Sequence, residues 1–139
     1  MTGRDLPAVA EIYAEAAGER PPPSWEAHLR SVMRAKDGEG VARVAADAAG
    51  RVVGYVAGEV RSFEFGSPPA GWIFALAVAK AERRHGYAHA LFMSAVEKMK
   101  RSRVATLRTM VSRDNVDVLR FFRGEGFVAG PYAELELSL

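Results

Sequence analysis

The run Leu76–Leu91, LAVAKAERRHGYAHAL, gathers the residues best suited to holding an anion. An apolar stretch ends at Val78, a polar loop carries Arg83, Arg84 and His85, and Gly86 opens a helical pattern. The first N–H groups of a helix have no intrahelical partner, and the helix dipole adds positive potential there. Together they suit a phosphate or pyrophosphate. Gly86 lets the backbone approach such a ligand without a Cβ in the way, and Ala88 is the next smallest choice. A polar loop closed by a glycine is also common without any ligand, so the loop alone is a weak signal. His85 and His89 lie one helical turn apart, but Gly86 stands where a zincin helix carries its glutamate, and the chain has no cysteine. No metal site is expected.

The elements that must position this loop follow from periodicity. Asp5 reads as the cap of a first helix with Leu6, Val9, Ile12 and Tyr13 on its buried face, ending near Gly18. Pro21, Pro22 and Pro23 force an extended link. Ser24 reads as the cap of a second helix with Trp25, Leu29, Val32 and Met33 on one side, stopped by Gly38 and Gly40. Strands are expected over 41–46 and 52–63, joined by a tight turn at 47–51, and over 72–78. The last is almost wholly apolar, which places it centrally, covered on both faces. A helix over 86–101 buries Leu91, Phe92, Ala95, Val96 and Met99. A strand over 104–111, a helix over 115–124 and closing strands over 126–128 and 132–139 complete the order. This alternation predicts an α/β (α+β) domain: a mixed sheet with helices on both faces, and one domain spanning 1–139.

A second block, Asn115–Phe127, reads NVDVLRFFRGEGF. Arg83, Gly86 and Ala88 fit Gln/Arg-x-x-Gly-x-Gly/Ala. The second block fits Asn-x-x-Ala-hydrophobic-x-Phe-Tyr-x-x-x-Gly-Phe at Asn115, Val118, Leu119, Phe121, Gly126 and Phe127. With both blocks in order and spacing, the sequence resembles the GNAT acyltransferase superfamily over about residues 41–139. The family usually opens with a strand, yet helix signals begin here at Asp5. The first strand is missing, or the natural chain starts upstream of Met1.

The resemblance implies acetyl-CoA as co-substrate and direct attack of an amine on its thioester within a ternary complex. It implies a cofactor site of Leu76, Ala77, Val78, Arg83, Arg84, His85, Gly86, Tyr87, Ala88, His89, Asn115 and Phe122. The Val78 N–H would meet the developing oxyanion. Many members use a glutamate on the central strand as base. Residues 72–78 hold no carboxylate here, so Glu59 and Glu64 are the candidates; Asn115 is a further catalytic candidate. By strand parity Glu59 shares a face with Val53, Tyr55 and Ala57. The family's tyrosine acid is replaced by Phe122, which has no proton to give. Trp25, Phe63 and Trp72, with Phe65, would line the acceptor site, although aromatics at such points also serve as core.

Composition narrows the rest. The 139 residues are 49% hydrophobic and 26% charged, with a net charge of +2. That is a globular composition, with no basic tract for nucleic acid and no apolar run for a membrane. Arg4, Asp5 and Glu11 break any signal-peptide pattern, so a cytoplasmic enzyme is expected. The acceptor is a small-molecule or peptide amine, and the apolar closing strand is compatible with a homodimer. Two other readings stay open: a CoA-binding or sensory module without catalysis, and a mononucleotide binder using the same loop.

Overall fold

The computed structural model describes residues 1–62 and 64–139; Phe63, expected in the acceptor site and at the end of the second strand, lies outside them. Met1–Thr109 forms one compact unit and Met110–Leu139 a second.

The first unit holds α1 (Leu6–Ala17), α2 (Pro23–Met33), β1 (Gly40–Ala46), β2 (Val52–Arg61), β3 (Ala70–Val78), α3 (Tyr87–Arg101) and β4 (Leu107–Arg108). Single 3-10 turns stand at Glu64–Gly66 and Lys80–Glu82. The sheet order is β1-β2-β3-β4, antiparallel except for the parallel β3–β4 pair. It is the mixed α/β architecture expected.

Both N-terminal helices form: α1 starts after Asp5 as expected but without its side-chain cap, and α2 starts earlier than expected. Asp5 occupies the cap position of α1 in a helical conformation and makes no side-chain cap. Its Oδ2 instead accepts from the Thr2 N–H at 2.6 Å and the Thr2 hydroxyl at 3.1 Å, one turn earlier. Helix α2 starts at Pro23, with Ser24 already inside the first turn. Proline's fixed φ suits the first helical position, where its missing N–H costs nothing.

Helices α1 and α2 cover one face of the sheet. Leu6, Val9, Ile12 and Leu29 pack with Tyr55 and Ala57, and Phe74, Ala75 and Ala77 join them. Burying one such side chain as fully as Leu29, at 0% exposure, contributes about 2 kcal/mol. The parity expectation for β2 holds for Tyr55 and Ala57 but not for Val53: Val52, not Val53, packs on this cluster. The register slips opposite Ala45/Ala46, where Val53 is the extra residue of β2, a bulge that turns Val52 to this face.

Helix α3 covers the opposite face. A Cβ on Gly54 would meet Leu91 at 3.0 Å, one on Gly58 would meet Met99 at 3.2 Å, and one on Gly71 would also meet Met99 at 3.2 Å. The expected strand over 104–111 shrinks to Leu107–Arg108. Only Gly71 and Trp72 of β3 pair with it, so the ladder that would define a longer strand stops there.

In the second unit, α4 (Val116–Gly124) is capped by Asn115, whose Oδ1 accepts from the Val118 N–H at 3.2 Å. The closing strands expected over 126–128 and 132–139 are absent among the described residues. Leu135 and Leu137 are 92% and 84% exposed. Alternation tells which face a strand would bury, but a strand also needs a partner, and these leucines have no apolar cover.

Candidate functional site

The site starts from the unpaired edge of β3. Ala79 N–H donates to Val53 O at 2.8 Å, continuing the β2–β3 register in which Tyr55 faces Ala77 and Ala57 faces Ala75. Antiparallel bonding alternates along a strand, so Ala75 and Ala77 direct their backbone groups at β2. Leu76 and Val78 therefore direct theirs to the other side. Early on that side, Gly71 N–H donates to Thr106 O at 3.0 Å and the Thr109 hydroxyl to Ile73 O at 2.9 Å. Beyond Trp72 no strand pairs with β3 on that side among the described residues. A parallel neighbour that stops after two residues leaves the rest of a central strand open to an extended ligand.

The loop follows directly. Lys80 N–H donates to Glu15 Oε2 at 2.7 Å, which ties the strand exit to α1. Glu82 N–H bonds Ala79 O at 2.9 Å, closing the short 3-10 turn. His85 Nδ1 lies 3.1 Å from Glu82 O, and the Glu82 carboxylate is also within 3.8 Å of Arg51. Glu82 thus lies between Arg51 and His85. Arg83 and Arg84 are exposed and form no ion pair among the described residues. Arg84 has φ 67 and Gly86 φ 80, both left-handed. For arginine this conformation costs about 1–2 kcal/mol, a strain that persists where surroundings or function demand it.

Gly86 caps α3 without any side-chain hydrogen bond. The first helical bond is Ala90 N–H to Gly86 O at 3.0 Å, so the N–H groups of Tyr87 and Ala88 lie ahead of it with no helical partner. A Cβ on Gly86 would meet nothing within 4 Å. The space around Gly86 is open, the free donors beside it are backbone N–H groups, and two arginines precede it in the loop. Such a set of donors and charges would suit an anion with several oxygens. His89 lies within the first turn of α3, exposed at the same end.

A second cluster lies on the sheet face covered by α1 and α2. Glu59 accepts from Arg61 Nε at 2.8 Å and stands 3.4 Å from His28 Nε2. Arg61 lies 3.8 Å from Glu64 Oε1 and 4.9 Å above the Trp72 ring. Trp72 Nε1 and Glu64 Oε2 are both buried without a hydrogen-bond partner. Beside this cluster, Ser31, Glu39, Glu59, Val60 and Ser62 line a cavity of about 320 Å³.

The sequence-predicted residues thus fall into separate groups. Leu76, Ala77, Val78 and Arg83–Ala88 form one continuous strand exit and loop. Glu59, Glu64 and Trp72 come together around Arg61. Trp25 is packed between Tyr13 at 4.8 Å and Tyr55 at 6.1 Å, partly buried on the main core. Phe65 is 71% exposed. Asn115 and Phe122 belong to the second unit, where Asn115 caps α4 and Phe122 is 6% exposed between Phe121 and Phe127. His28 also joins the Glu59 cluster; its spacing from Trp25 and Val32, which puts it on the inward side of α2, is the one signal of it in the sequence. Among the described residues no cluster of His, Asp and Glu could hold a metal ion, and no helix is long and apolar enough to cross a membrane.

Burial raises the Tyr55 phenol above its ordinary value, with Tyr13 adding to the shift. Tyr55 therefore keeps its proton in the core.

No curated protein sequence matches this chain. Solved structures resemble it closely in fold at low identity. A transcriptional regulator from Bacillus halodurans C-125 superposes with a TM-score of 0.81 at 20% identity, covering 100% of this chain and 96% of its own. The apo aminoglycoside antibiotic 6'-N-acetyltransferase AAC(6')-IG from Acinetobacter haemolyticus gives 0.80 at 17%, covering 100% and 95%. AAC(6')-Iy, in complex with a bisubstrate analog of CoA and acetylneamine, gives 0.82 at 15%, again covering 100% and 95%. The sequence profile of the acetyltransferase (GNAT) family matches residues 6–127, through both compact units, and the chain belongs to that family.

Proposed function

We propose that the chain, acting as one domain over residues 1–139, is an acetyl-CoA-dependent N-acetyltransferase. It moves the acetyl group to a small-molecule or peptide amine by direct attack in a ternary complex. The observation that carries this reading is the joining of an open β3 edge to an open, N–H-lined helix start. Acetyl-CoA supplies an activated thioester. The Gly86 loop, through the N–H groups of Tyr87 and Ala88 and the charges of Arg83 and Arg84, binds its pyrophosphate. Leu76 and Val78 offer their outward backbone groups to the pantetheine arm, and a strand N–H there receives the oxyanion. Holding amine and thioester together makes the step effectively unimolecular.

Isothermal titration with CoA, followed by turnover of acetyl-CoA with an amine panel, tests the proposal. Binding in the micromolar range with thiol release in the presence of amine is the expected result. Absence of CoA binding by the folded protein refutes it. A CoA-binding module without catalysis is the second reading, favoured by Phe122, which has no hydroxyl. Tight binding without thiol release for any amine selects that module.

A further inference from the structure

Resting on the transferase reading, the geometry points to a proton-accepting residue: we propose that His28 Nδ1 takes the proton of the acceptor ammonium, with Glu59 orienting the ring. Neither glutamate is well placed to do so. Glu59 sits three β2 residues from Val56, the partner of Leu76, and five from Gly54, the partner of Val78. At about 3.3 Å per residue those are runs of about 10 and 17 Å, longer than a glutamate side chain. Glu59 is also held by Arg61 at 2.8 Å, and Glu64 is turned to Arg61 as well.

His28 bridges the gap. Its Nε2 lies 3.4 Å from Glu59 Oε2, and its ring rests on Phe74 with centroids 4.8 Å apart. Phe74 is the extra residue of β3 at the slip between Ala57 and Gly58, and it stands two residues before Leu76. The imidazole therefore stands on the α2 side of β3, about 7 Å of strand before Leu76 and nearer to it than Glu59. A carboxylate at Nε2 favours the tautomer with hydrogen on that nitrogen and leaves Nδ1 as the acceptor. The side chain is 44% exposed, so the proton it takes can leave to solvent.

The charged groups around the ring are Glu59 and Arg61 from β2 and, beyond Arg61, Glu64. Its contact on β3, Phe74, is uncharged. On α2, Glu26 and Arg30 are paired with each other at 2.7 Å.

The step balances. The ammonium gives one proton to Nδ1, and its freed lone pair forms the N–C bond at the thioester carbonyl. Collapse breaks the C–S bond, and a second nitrogen-bound hydrogen goes to the departing sulfur. The products are the amide, CoA thiol and one proton, which His28 passes to water.

The test uses the whole chain and the variants His28→Gln, His28→Ala and Glu59→Gln, with neamine, tyramine and a lysine peptide as acceptors. CoA affinity should stay within twofold in all three variants. With an acceptor that turns over, His28→Gln should lower kcat by about 10²–10⁴-fold with little change in KM and remove the low-pH limb of the profile. Added imidazole should partly restore His28→Ala. An unchanged kcat and profile in His28→Gln overturns the proposal while leaving the transferase intact. Loss of CoA binding in the unaltered protein instead overturns the transferase reading. Long-range proton–nitrogen NMR of the imidazole decides independently of any acceptor. Hydrogen on Nε2 in the unaltered protein, lost as the dominant form in Glu59→Gln, is the expected result. Hydrogen on Nδ1 overturns the assignment.

Discussion

Gly86→Ala separates a folding effect from a binding effect, because the structure assigns each its own cause. Gly86 has φ 80 and ψ 3, and a Cβ there meets nothing within 4 Å. The folding cost is therefore conformational alone, about 1–2 kcal/mol for an L-residue in the left-handed region. Reduced freedom of the unfolded chain returns about 0.4–1 kcal/mol. The net loss of about 0.5–1 kcal/mol corresponds to a Tm lower by about 2–4 °C for a chain of this size. Binding should suffer more. The new methyl projects into the space beside the Tyr87 and Ala88 N–H groups, where phosphate oxygens would sit. Losing one charge-assisted hydrogen bond costs about 1.5–3 kcal/mol, or about 10–100-fold in Kd. Gly50 provides the matched control: φ 81, nothing within 4 Å of its Cβ, and a place in the β1–β2 turn. Thermal melts and CoA titrations of Gly86→Ala and Gly50→Ala should show similar Tm losses, with CoA affinity reduced only at Gly86. Unchanged CoA affinity in Gly86→Ala, at the expected stability loss, would refute the placing of the anion at this loop.

Gly58→Ala should destabilise the fold by about 1–3 kcal/mol in urea unfolding, because its Cβ would stand 2.6 Å from the Trp72 carbonyl oxygen, a backbone atom that cannot swing aside. Asn115→Ala should cost about 1 kcal/mol by removing the bond to Val118 N–H, with the loss seen as faster amide exchange in the first turn of α4. Tyr55 has a raised folded-state pKa, so it holds its proton more tightly in the native state than in the unfolded chain. Stability should be flat in this term below the ordinary tyrosine value of 10.0 and fall above it, by about 1.4 kcal/mol per pH unit; Tyr55→Phe should remove that alkaline loss in denaturation curves.

Much of the first unit could be read from periodicity, because α1, α2 and α3 each bury one regular stripe and β3 is a nearly continuous apolar run. The strand-to-helix loop was legible for a related reason: the apolar run stops at Val78, and Gly86 takes the left-handed conformation from which α3 starts. What escaped was anything that depends on a partner. The apolar positions after Val104 suggested a strand, but β4 exists only where Gly71 and Trp72 pair with it. Leu135, Leu137 and Leu139 alternate without a ladder. Asp5 stands at the cap position as read, but its carboxylate bonds Thr2 instead of the helix, and proline chemistry at Pro23 starts α2 ahead of Ser24. His28 was invisible because its role comes from two contacts distant in sequence, Glu59 and Phe74.

The glycines of the sheet explain why the loop is where the open edge needs it. In a strand, Gly54, Gly58 and Gly71 read as weak points, since glycine there loses entropy and packs nothing. In the fold they stand against α3: Leu91 approaches the Cβ position of Gly54 to 3.0 Å, and Met99 approaches those of Gly58 and Gly71 to 3.2 Å. The helix therefore lies against the sheet at two points a full two turns apart, which fixes both its height and its direction. A helix held along its length carries its first turn with it. The N–H groups of Tyr87 and Ala88 are thus placed by Met99 and Leu91, and the Glu15 bond to Lys80 N–H fixes the loop between helix and strand at 2.7 Å. Filling Gly54 should press on Leu91 and shift α3, and with it the loop proposed to hold the anion. That is the physical reason for glycine at these three positions, where α3 comes closest to the strands.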